Sequence, residues 1–83
     1  MSYTVTDKNL NKAIEMVSFI NCHVREMERK HGASVCNYTT YNTQREKLTD
    51  ETILLSTLLG VEISEIEKLI SDCTHEMERA VKS

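Results

Sequence analysis

Eighty-three residues without a single proline, and with glycine only at positions 32 and 60, leave a chain few places to turn. Proline is the strongest helix breaker, and glycine is the residue most at ease in left-handed backbone. Their scarcity divides the sequence into three long segments, separated at Gly32 and Gly60. Any fold must be built from these segments, and each carries apolar residues at helical spacing.

In the first segment the stripe is Leu10, Ala13, Val17, Ile20, Val24 and Met27, at steps of three and four, with Ile14 and Met16 widening it. That period predicts an amphipathic helix over about 7–31. Thr6 or Asp7 can cap its start, because a short side-chain oxygen accepts from the free amides of a first turn. Arg29, Lys30 and His31 occupy its last turn, where positive charge suits the helix dipole, and Gly32 can take the left-handed stop. Phe19 and Cys22 lie off the stripe, so this helix is expected to touch something on a second face.

The middle segment is the hardest to read. Residues 33–47 hold Thr, Asn and Tyr, which are weak helix formers, yet show no strand-like alternation. Tyr38, Tyr41, Arg45, Leu48, Thr52, Leu55 and Leu59 again step by three and four. The spacing favours helix over about 36–59, loosened near Thr39–Thr43. In the last segment Ser64 and Glu67 have the S-x-x-E pattern of a capping box. Ile66, Ile70, Cys73, Met77 and Ala80 then mark a helix over about 64–81, with Leu69 broadening its face. The expected fold is all-α and a single domain over 1–83: a three-helix bundle, or a helical hairpin with an added C-terminal helix.

Ser56, Gly60, Val61, Ile66 and Leu69 have the order of a helix-turn-helix: a small residue, a turn glycine and apolar locking residues. The pattern resembles that motif over about twenty residues, which would imply a DNA-binding regulator. Charge opposes it. The first 47 residues carry seven Lys or Arg against five Asp or Glu, and the remaining 36 carry three against eight. Glu62, Glu65, Glu67 and Asp72 outnumber Lys68 on the would-be reading helix, and phosphates repel such a surface. Nucleic acid is therefore not the expected partner.

A second alternative is a nucleotide or small-anion site. Arg25, Arg29, Lys30 and Arg45 can gather charge, with Tyr38 and Tyr41 to stack on a base. No glycine-rich phosphate loop supports it, and pairing with neighbouring glutamates is the simpler reading. Cys22, His23, His31, Cys36, Cys73 and His75 are ligand types without a finger-like spacing, so no metal and no cofactor is expected. Cys22 and Cys73 read better as small core residues. No nucleophile, base or paired-carboxylate pattern suggests an enzyme.

The sequence begins without the apolar core of a signal, has an odd cysteine count, and lacks a membrane-length apolar run. A cytoplasmic protein without a membrane role is expected. The expected protein is a small helical protein-interaction module, a homodimer, acting as a regulator, adaptor or inhibitor by docking on another protein. Its size would also suit a viral or mobile-element accessory protein. Met16, Phe19, Tyr38 and Tyr41 are the expected interface residues, since aromatic and Met side chains are enriched in interface cores.

Overall fold

The computed structural model describes residues 7–82. Helix α1 spans Asp7–His31, α2 spans Thr39–Leu59 and α3 spans Ile63–Lys82. A short 3-10 turn, Gly32–Asn37, joins the first two. No strand occurs among the described residues, and the protein is an all-α bundle. The cap expected at Thr6 and the lead-in before it lie outside the described residues.

The 25-residue α1 is about 37 Å long at the usual rise. It forms the floor of the molecule, and both other helices lie along it, α3 with the larger contact. The inward side chains fall into two clusters. Ile14 and Val17 of α1 meet Leu55 of α2 and Ile66 and Ile70 of α3, with Leu10, Ala13, Leu48, Leu59, Val61 and Cys73 around them. Farther along α1, Val24 meets Val35 of the 3-10 turn and Tyr41 of α2, flanked by Ile20 and Met27. Ile14 is thus part of the core, whereas Met16 does not widen it: Met16 points outward. Leu69 likewise leaves the core face of α3 and is exposed.

The seam between α1 and α3 is made of short side chains. Ser18 is wholly buried and donates to the Ile70 carbonyl at 3.3 Å. Thr74 donates to the same carbonyl at 2.6 Å and accepts from the Asn21 amide at 3.0 Å. Every buried polar atom in this seam therefore has a partner, which removes the desolvation penalty of placing it there.

Gly32 ends α1 at φ 58°, but the chain then winds into the 3-10 turn and does not restart an α-helix at 36. Tyr38, at φ −96° and ψ 120°, is the break. Its N–H donates to the Val35 carbonyl at 3.1 Å and its carbonyl accepts from Asn42 at 3.2 Å. The irregularity expected at Thr39–Thr43 thus falls just before that stretch, and α2 runs unbroken from Thr39. Its threonines are accommodated locally: Thr49, Thr52 and Thr57 each donate to the carbonyl four residues back.

At the other junction Gly60 takes φ 66°, ψ 30°. Val61 N–H reaches the Ser56 carbonyl at 3.2 Å, a 6→1 bond of the kind that closes helices at a left-handed residue. The Ser56 hydroxyl donates to the Val61 carbonyl and clamps the turn from the side. Helix α3 opens at Ile63, with Glu65 and Ile66 N–H donating to the Glu62 carbonyl. Ser64 is consequently inside the first turn and does not occupy the cap position its pattern suggested.

Ile66 is 0% exposed at the meeting point of all three helices. Ile66→Ala should cost about 2–5 kcal/mol, read as a lower urea midpoint at unchanged slope. Gly60→Ala should cost about 1 kcal/mol, because an L side chain is strained at that φ although the space beside it is open.

Candidate interaction surfaces

Among the described residues, eight large apolar side chains face outward: Met16, Phe19, Tyr38, Ile53, Leu54, Leu58, Ile63 and Leu69. They are not scattered evenly. Two grooves collect four of them.

The first groove runs between α1 and α2 and has a volume of about 460 Å³. Ala13, Met16, Val17, Phe19 and Ile20 line it from α1, and Lys47, Glu51 and Leu55 from α2. Met16 is 63% and Phe19 67% exposed. Leu54 and Leu58 stand three and seven residues beyond Glu51, so helical spacing continues the apolar surface along α2.

The second groove lies between α2 and α3, with a volume of about 410 Å³. Leu48, Thr52 and Ile53 of α2 face Ile63 and Ile70 of α3 across it. Arg45 and Glu67 stand at its edges, and Asn21 and Ser71 add polar groups.

The four residues expected at an interface are not brought together. Met16 and Phe19 share one exposed face. Tyr38 sits at the far end, its ring 4.2 Å from that of His31. Tyr41 is 4% exposed and fills the second core cluster, so it is an internal residue and no contact surface. Its hydroxyl donates to Glu28 at 2.7 Å, which explains why a tyrosine is tolerated there.

The expected anion site is also divided. Arg25 and Arg29 both hold the Glu78 carboxylate of α3, at 3.2 and 3.0 Å. Arg45, on α2, is bonded instead to the Tyr41 oxygen at 3.2 Å and lies 3.8 Å from Glu28. These cations are already opposed by carboxylates, and Lys30 is exposed apart from them. Sequence spacing pointed toward nearby glutamates as partners for Arg25 and Arg29. The actual partner, Glu78, is 53 and 49 residues away and visible only once α3 is packed.

The Glu78 side chain is 13% exposed. Its hydrogen bonds, first from Arg29 and then from Arg25, hold its carboxyl below the usual range despite partial burial. His75 stands 3.8 Å from its other oxygen. Close by, burial pushes the Cys22 thiol up, with Glu78 and Cys73 adding to the effect, so Cys22 is a neutral thiol that packs between α1 and α3. It is half-buried, as is Cys73, and its Sγ lies 3.9 Å from the Thr74 carbonyl. No group of three or more metal-ligand side chains occurs among the described residues, and no helix among them is long and apolar enough to cross a membrane.

Ser18 and Thr74 were not legible as core residues by residue type, yet Ser18 is four positions from Ile14 and Thr74 four from Ile70. Extending each stripe through small polar residues would have found them.

No family model matches the chain, and neither a curated protein nor a solved structure shows significant similarity to it.

Because the Glu78 carboxyl is stabilised as the anion, its contribution is present above the ordinary carboxylate range and is lost as pH falls through its lowered value. Glu78→Gln should be less stable at pH 7 and should lose stability less steeply on acidification. Urea midpoints measured from pH 7 down to 3 check this, and parallel curves would deny the ion pairs a role.

Proposed function

We propose that this protein is a small non-enzymatic interaction module that works as a homodimer and docks on another protein through the groove between α2 and α3. The observation that carries the reading is the exposure of Ile53 and Ile63 on facing helices across that groove. Apolar walls of this kind, opened at the width between two helices, suit a third helix laid along them. Docking of this type would make the protein a regulator, adaptor or inhibitor of whatever carries that helix.

The charged side chains at the groove are Arg45 and Glu67, one of each sign. The complementary ligand is an amphipathic helix with an apolar stripe, a carboxylate on the Arg45 side and a cation on the Glu67 side. Such charges select among partners and fix their direction more than they add affinity. Elsewhere on α3 or just before it, Glu62, Glu65 and Asp72 are exposed against Lys68. The same acidic surface speaks against the phosphate backbone of DNA.

Selection from a library of helix-forming peptides on the immobilised protein tests the proposal. Enriched peptides should carry apolar residues at steps of three and four, with an acidic residue on one side of the stripe and a basic residue on the other. Their affinity should drop by about tenfold or more on Ile53→Asp, which alters an exposed position and should leave helicity intact. Absence of enrichment, or peptides that bind Ile53→Asp equally well, would count against the groove.

A further inference from the structure

The outer face of α1 carries ionisable residues spaced evenly to either side of Phe19, with Lys12 and Glu26 of opposite sign at the two ends. We propose that a second copy of this chain covers the Met16–Phe19 face, with the two α1 helices antiparallel and a two-fold axis beside Phe19. The inference rests on the homodimer reading and assigns it a surface and a register. It does not use the α2–α3 groove.

Lys12, Glu15, Met16, Phe19, His23 and Glu26 are all exposed. At 100° per residue they fall within a sector of about 100°, opposite the inward stripe of Val17 and Val24. Phe19 is the centre of this sector along the helix. Lys12 and Glu26 each stand seven residues from it, and Glu15 and His23 each stand four. In an isologous contact, residue i of one copy meets residue j of the other and j meets i. With the axis at Phe19, Lys12 meets Glu26 of the second copy, Glu15 meets its His23, and both contacts occur twice; the complementary stretch ends there, because Lys30 in the same sector is set opposite position 8, also a lysine. Phe19 packs against Phe19. A parallel arrangement would instead place Lys12 against Lys12 and Glu26 against Glu26.

Helix α2 fits the same axis. Lys47 and Glu51 line the groove beside Phe19, one turn apart. An axis passing between them sets Lys47 of one copy against Glu51 of the other. The apolar centre and charged surround follow the usual anatomy of a protein interface.

Sedimentation equilibrium of the full chain at low salt, with circular dichroism as the fold control, tests the assignment. The native protein should be a dimer, and Phe19→Ser should shift it to monomer. Lys12→Glu makes both end contacts acid against acid, and Glu26→Lys makes both base against base. Each variant alone should dimerise at least about tenfold more weakly. Mixed in equal amounts they should form a one-to-one heterodimer, because every end contact is then between opposite charges. A native protein that stays monomeric at millimolar concentration would overturn the homodimer and this register together. A native dimer whose association ignores Phe19→Ser and gains nothing from mixing would overturn the register and leave the homodimer standing on another face.

Discussion

The contact of Ile66 and Ile70 with Ile14 and Val17 is the one on which the rest of the structure depends. It joins the first helix to the last and closes a chain whose middle helix is, by itself, weakly amphipathic. A core of this size leaves little margin, since each fully buried aliphatic side chain contributes about 1.5–3 kcal/mol and a small domain is stable by only a few. Close approach is needed for the contact to form, and the short side chains of Ser18 and Thr74 allow it. Their hydroxyls share the Ile70 carbonyl, so the polar atoms that come with small size are satisfied within the seam. Glu78 then fastens the same two helices from outside, drawing Arg25 and Arg29 into one cluster.

Much of the fold could be read from spacing because it is written locally. The stops at Gly32 and Gly60 follow from backbone chirality, and the stripes through Val17 and Ile66 follow from the helical period. What spacing could not supply was which side of a broad stripe faces inward. Ile14 and Met16 lie on opposite flanks of the α1 stripe, and only the position of α3 buries one and exposes the other. The segment from 33 to 38 escaped for a different reason. Its conformation is set by Val35 and Tyr41 packing against Val24, a tertiary demand that overrides weak local preference. Tyr41 itself was legible as an aromatic on a helical stripe. Its assignment to an outer surface failed because its hydroxyl has an internal partner, Glu28, thirteen residues away.

The two grooves lie on different flanks of α2. One flank of α2 adjoins the exposed face of α1, and the opposite flank, with Ile53, opens toward α3. A single helix thus serves two grooves. This explains why its apolar residues point in several directions and why Thr52 can stand at a buried position: α2 must be tolerable on all sides more than it must be strongly amphipathic. The arginines, which in sequence look like a binding cluster, are spent on internal fastening to Glu78 and Glu28.

The core is broken into two clusters along α1, and this separation has its own consequence. The cluster around Ile66 draws on all three helices, whereas the one around Val24 draws only on α1, the 3-10 turn and the start of α2. Cooperative units of a protein open more readily the less apolar contact they must break. The Val24 end can therefore fray on its own, with Gly32 and Tyr38 as its joints, while the Ile66 end stays closed. Amide protons from Val35 to Tyr41 would then exchange with solvent well ahead of those around Ile66 and Ile70. The molecule is in this sense a closed base with a looser tip, and both grooves are built mainly on the base.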